Sequence, residues 1–237
     1  MKETINCAHR GASSRAPENT IAALELAAGL GASMAEIDIQ QTVDDQLVLF
    51  HDDELERTSS GAGPLWQHTL AQLKQLDAGS WFSSEFTGEC IPTLEEAATA
   101  MRGRLGLNIE LKMHGHERDL AVLVASHLQR LDCLDWCLVS SFDHGVVDEL
   151  KRLLPQLKNG YIVGRHDWND DLPASPVSVL SLEKSLVTEE RIQKIHGAGK
   201  EVHVWTVNEV PDMVRLQKLG VDAIIGNYPD RMAKIRF

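Results

Sequence analysis

Three stretches, LAAGLGASMAEIDI, IQKIHGAGKEVHVWTV and LQKLGVDAIIGNY, run in one order: a helix end, a glycine, two or three residues, then a β-rich run. Glycine suits the left-handed residue that closes a helix, and a strand-forming run just beyond it returns the chain to a sheet. Repeated helix–glycine–strand units imply parallel strands joined by helical crossovers. On this basis strands are predicted at 5–9, 34–39, 107–111, 138–141, 160–163, 177–182, 201–205 and 223–226. Helices are predicted at 20–30, 117–131, 144–154, 188–196 and 209–219. Eight parallel strands is the count of an α/β (β/α)8 TIM barrel. With 237 residues, 43% of them hydrophobic, the chain is long enough for one such core, and residues 1–237 read as a single domain.

Two features break the alternation. After Ile39 the chain reads QQTVDDQLVLFHDD, too short for a parallel crossover, which predicts a β-hairpin turning at Asp44 and Asp45. Pairing about that turn sets His51 opposite Asp38. Residues 54–92 then form a long insertion with one short helix near 69–76, a length that usually marks a lid or binding wall. Trp81 and Phe82 give it apolar weight, and TLEE (93–96) offers a capping box for the next helix.

The net charge of −12, from 35 acidic and 23 basic residues, disfavours nucleic acid and anionic lipid surfaces as partners. A small phosphate ester is still compatible if a metal or a local Arg or Lys reverses the field. No run of 18 apolar residues predicts a membrane span, and MKETINCAHRG has no signal-peptide core. Cys7, Cys90, Cys133 and Cys137 lack metal-finger spacing and read as buried, reduced thiols, so the expected compartment is the cytoplasm.

Barrel enzymes place their chemistry at the C-terminal ends of the strands. There the sequence offers His9 and Arg10 on the first strand, Glu36 and Asp38 on the second, and Glu110 and Lys112 on the third. Residues two apart on a strand share a face, so three carboxylates converge on one mouth. They are compatible with one another only around a positive centre, and oxygen-only donors suit Mg²⁺, Ca²⁺ or Mn²⁺. Of the ten histidines, His9 and His51 combine a strand end with a neighbouring carboxylate, fitting a general acid and a general base. His203 alternates with valines inside a strand, and the remaining seven read as solvated. Arg10 and Lys112 supply cations for an anionic oxygen. Trp205 ends its strand either to stack on a quaternary ammonium headgroup or to pack under the rim. A metal, cations and two histidines outline a phosphoryl site.

With HRG, PENT, EID, HDDELERTSSGAG, DAGSWF, IPTLEEA, NIELK and WTVN in this order, nearly the whole chain resembles the glycerophosphodiester phosphodiesterases, especially the compact bacterial cytosolic type. The resemblance implies a phosphatidylinositol-phospholipase-C-like barrel that hydrolyses glycerophosphodiesters to sn-glycerol 3-phosphate and an alcohol with one divalent cation, commonly Mg²⁺ or Ca²⁺. It matches Glu36, Asp38 and Glu110 to the metal ligands, His9 and His51 to the acid/base pair, and Arg10 and Lys112 to the phosphate contacts. The insertion matches the segment that covers the glycerol end. GNYPD departs from the family pattern, since Asn227 stands where many relatives have Asp.

Three rival readings use the same residues. A lysophospholipase D-like activity needs an apolar entrance, which 5% aromatic content and the lack of a membrane segment disfavour. A sugar isomerase accounts for the carboxylates and leaves Arg10 and the paired histidines unexplained. A non-catalytic phosphodiester-binding module would be expected to lose a ligand or a histidine, and every such position is filled.

Overall fold

The computed structural model describes residues 3–235. Its strands are β1 (Ile5–His9), β2 (Met34–Gln41), β3 (Leu47–Leu49), β4 (Gly106–Leu111), β5 (Cys137–Ser141), β6 (Lys158–Val163), β7 (Val179–Glu183), β8 (Glu201–Trp205) and β9 (Ala223–Gly226). β1 pairs in parallel with both β2 and β9, closing eight of the described strands into a parallel barrel with β3 appended. The TIM barrel expected from the glycine-punctuated repeats is therefore present, with strand ends within two residues of their expected positions.

Alternation along β2 and β4 fixes what faces where. Ala35, Ile37, Ile39, Leu107, Ile109 and Leu111 belong to the main apolar core outside the barrel wall. Glu36, Asp38, Asn108 and Glu110 take the opposite face and point to the barrel axis. Ile37 and Ile39 are wholly buried, each stabilising the fold by about 1.5–3 kcal/mol. A slip of one residue would exchange them with Glu36 and Asp38, so this apolar stripe locks the register that aims the carboxylates inward.

The helices are α1 (Ile21–Gly29), α2 (Leu70–Leu73), α3 (Leu94–Met101), α4 (Leu120–Arg130), α5 (His144–Leu153), α6 (Glu189–Gly197), α7 (Val210–Leu219) and α8 (Pro229–Met232). α3 opens with the expected capping box, Thr93 Oγ1 accepting from Glu96 N while the Glu96 carboxylate accepts from Thr93 N. α4 begins later than expected because Asp119, just before it, is left-handed at φ 49°.

The hairpin exists, but its register differs from the expected one. Ile39 pairs with Leu49 and Gln41 with Leu47, which sets Phe50, not His51, against Asp38. The loop contains three residues because Asp45 adopts a left-handed φ of 58°, which shifts the pairing by one. His51 lies beyond the ladder, free to turn toward the barrel mouth. The following insertion has a small core of its own, in which Val48, Phe50, Leu55, Leu65, Leu73 and Ile91 pack together. Trp81 stays outside it, 40% exposed. All four cysteines are free thiols, and Cys90 is exposed in the insertion, unlike the other three.

Candidate active site

The turn after β1 is built by two left-handed residues, Arg10 at φ 57° and Gly11 at φ 80°. A Cβ on Gly11 would lie 2.7 Å from the backbone of Ala23, so only glycine fits beneath α1. The turn brings the Arg10 backbone N–H to Glu36 Oε2 (3.0 Å) and its guanidinium Nε to Asp38 Oδ2 (3.2 Å). Asn19, buried and also left-handed, donates its amide to Asp38 Oδ2 (2.8 Å) and accepts from the Asp38 backbone N–H (3.1 Å). Asn tolerates this conformation better than other non-glycine residues. It clamps Asp38 at both ends.

Glu36, Asp38 and Glu110 each present an oxygen within 4.8 Å of the others, and all three are buried. Lys112 Nζ lies 2.9 Å from Asp38 Oδ1 and 2.5 Å from Glu110 Oε1. Burial opposes ionisation of all three, and the neighbours decide the outcome. Burial with Asp38 and Glu110 nearby pushes Glu36 well above the carboxylate range, and burial with Asp38 raises Glu110 to about 7. Lys112 and Arg10 flank Asp38 and hold it below its ordinary value despite burial. Glu36 Oε1 is buried without a hydrogen-bond partner. Three converging oxygens, two resisting charge and one unpartnered, fit a hard divalent cation.

His9 Nδ1 lies 2.7 Å from Asn227 Oδ1. An amide oxygen only accepts, so Nδ1 carries the proton and Nε2 presents its lone pair inward, 3.9 Å from Glu36 Oε2. Burial and the Arg10 charge lower His9 to about 4. His51 Nδ1 donates to Asp52 Oδ1 at 2.6 Å, and burial lowers this histidine too. Both rings, Arg10, Lys112, Phe142 and Trp205 line one cavity of about 180 Å³ at the barrel mouth. Trp205 packs at the rim: its indole N–H is tied to Ser181 O (3.0 Å), and its ring meets Phe142 edge-on at 5.5 Å on the cavity wall. The structure thus brings every expected site residue to one end of the barrel.

Other histidines sort differently. His203 is fully buried and paired with Glu201, as its strand position suggested. His114 is exposed as expected but pairs with Asp53 at 2.6 Å, whereas His116 is half-buried and stacks on Trp66 at 4.9 Å. A larger cleft of about 810 Å³ runs outside the barrel between the insertion and α3. Its Lys74 and Glu96 pair with each other.

Residues 9–231 match the Glycerophosphoryl diester phosphodiesterase family. The chain belongs to this family. It is 34% identical to a glycerophosphodiester phosphodiesterase of Caldanaerobacter subterraneus subsp. tengcongensis, over 98% of both chains. It also superposes on a phosphodiesterase of Oleispira antarctica, solved in complex with the product sn-glycerol-3-phosphate, with a TM-score of 0.90 and 36% identity, covering 98% of this chain and 95% of that one. A glycerophosphodiester phosphodiesterase from Agrobacterium tumefaciens gives a TM-score of 0.86 and 29% identity over 98% of this chain and 100% of that chain. Among the described residues, no helix is long and apolar enough to cross a membrane.

In this glycerophosphoryl diester phosphodiesterase family member, sequence reasoning missed the partners that fix the site. Asn19 grips Asp38, Asn227 grips His9, and Asp52 grips His51. The signal lay in PENT, GNYPD and HDDELERT, whose polar residues had no assigned contact.

Proposed function

We propose that this protein hydrolyses glycerophosphodiesters to sn-glycerol 3-phosphate and an alcohol, using one divalent cation held by Glu36, Asp38 and Glu110. The observation that carries this reading is the convergence on one cavity of three buried carboxylates, two cations and two histidines each fixed at Nδ1. A cation bound there supplies charge neutralisation and Lewis acidity toward a phosphodiester oxygen.

Arg10 and Lys112 hold the non-bridging oxygens and stabilise charge that builds on them as the new P–O bond forms. The partners of the histidines divide their roles. His9, backed by a neutral amide and disfavoured as a cation, accepts at Nε2 a proton of the attacking water, whose oxygen becomes part of the glycerol 3-phosphate product. His51, backed by the Asp52 carboxylate, is the better imidazolium and donates its Nε2 proton to the departing alcohol oxygen as the old P–O bond breaks. Phe142 and Trp205 wall the same cavity.

Chelator-stripped protein supplied in turn with Mg²⁺, Ca²⁺ or Mn²⁺ is expected to regain glycerol 3-phosphate release from glycerophosphocholine or its ethanolamine, glycerol or inositol counterparts. No release with any cation and any of these esters would overturn the reading, and lysolipids would be assayed next.

Asn227 also gives a pH test. In Asn227→Asp a carboxylate faces His9 Nδ1 and raises the histidine pKa, by about 1–3 units for an opposite charge at this range. A base works only when deprotonated, so the acid limb of the kcat/KM profile is expected to move to higher pH. A limb that stays in place would remove His9 from the role of base.

A further inference from the structure

We propose that Arg57 is a positioning residue for this reaction: one guanidinium that holds Asp52 against His51 and Glu18 against Arg10. The inference rests on the functional reading above, in which His51 and Arg10 act on the phosphodiester. Arg57 belongs to the insertion, in the ELERTSS stretch that the catalytic groups themselves leave unexplained. Its Nη1 and Nη2 donate to Glu18 Oε2 (3.1 Å) and Oε1 (2.8 Å). Nη2 also donates to Asp52 Oδ1 (2.9 Å), and Nε makes a short bond to Asp52 Oδ2.

Each carboxylate then passes the restraint inward. Glu18 Oε1 accepts from Arg10 Nη1 at 2.8 Å, and Asp52 Oδ1 accepts from His51 Nδ1 at 2.6 Å. A continuous chain of contacts therefore runs from His51 through Asp52, Arg57, Glu18 and Arg10 to Asp38. Stability is a poor account of this arrangement, because Arg57 is 45% exposed and exposed ion pairs add little to folding. The fork geometry is the better account. Two carboxylates approached from one plane need a guanidinium, and a lysine ammonium cannot bond both in that way. The insertion is thereby tied to the groups that must be oriented.

The test compares steady-state glycerol 3-phosphate release by wild type, Arg57→Ala, Arg57→Lys, Glu18→Gln and Asp52→Asn. Glu18→Gln is expected chiefly to raise KM, through Arg10, and Asp52→Asn chiefly to lower kcat, through His51. Arg57→Ala should do both, with kcat falling about 10–100-fold, as misplaced catalytic groups do. Arg57→Lys should recover only a small part of the loss. Adding Arg57→Ala to Asp52→Asn should lower kcat no further. Values within twofold of wild type for Arg57→Ala, or independent losses that multiply in the double variant, would overturn the proposal.

A second readout uses ¹⁵N-labelled histidine. The His51 Nδ1 proton should be far downfield and slow to exchange in wild type, and exposed to solvent exchange in Arg57→Lys and Arg57→Ala. An unchanged proton overturns the strap even where a variant is less stable. If wild type releases no glycerol 3-phosphate, the functional reading falls instead, and this proton still reports whether Arg57 holds Asp52 on His51.

Discussion

Alanine at His9 or at His51 is expected to lower kcat for glycerophosphodiester hydrolysis by about 10²–10⁴-fold, the usual contribution of a positioned acid or base. KM should change little, because Arg10 and Lys112 carry the phosphate contacts in the proposed mechanism. The two variants should separate when the leaving alcohol is replaced by a nitrophenolate, which departs without being protonated. His51→Ala should then recover most of its lost rate, while His9→Ala should not. Equal losses on both kinds of ester would reverse or remove the assignment of His51 as acid. The asymmetry expected here comes from two contacts only: an amide behind one ring and a carboxylate behind the other.

Glu36→Gln should separate activity from stability. The glutamine keeps an oxygen for the Arg10 backbone N–H but removes the carboxylate with the unpartnered buried oxygen. Loss of a cation ligand should reduce turnover by at least about 10³-fold, since Lewis-acid stabilisation supplies several kcal/mol to a phosphoryl transition state. In chelated protein the same change should be stabilising, by about 1–3 kcal/mol, because a neutral amide has no ionisation for burial and the Asp38 and Glu110 carboxylates to oppose. For a chain of this size that is a rise of several degrees in Tm, measurable by calorimetry in the presence of chelator. A variant that is both inactive and less stable than the chelated wild type would contradict the account of Glu36 as a residue held against its own preference. Adding Mg²⁺ or Ca²⁺ should raise the Tm of wild type and leave that of Glu36→Gln nearly unchanged.

Much of the architecture is legible from sequence because its physics is local and repetitive. A glycine that ends a helix followed by a buried apolar strand is a short-range signal, and it recurs around the barrel. The Glu36–Asp38 and Glu110–Lys112 pairs are legible for the same reason, since a period of two places each pair on one face. The hairpin register was not, because it depends on Asp45 taking a left-handed conformation and adding one residue to the loop. The groups that orient the site were less legible still. Glu18 and Arg57 are 39 positions apart, and His9 and Asn227 are separated by 218. No periodicity connects such residues, and only the closed fold brings them together. His116 shows the same limit, since a loop histidine next to charges gives no hint of the Trp66 ring that covers it.

Closure of the barrel also has a consequence in time. β1 enters the ring early, but its second neighbour is β9, the last of the described barrel strands to be made. The acidic cluster needs only β2 and β4, so an incomplete chain can gather carboxylates well before it can orient His9. That ring gains its Nδ1 partner when Asn227 arrives beyond β9. The arrangement around His9 therefore waits on β9 and the residue just beyond it, long after the β2 and β4 carboxylates can be in place.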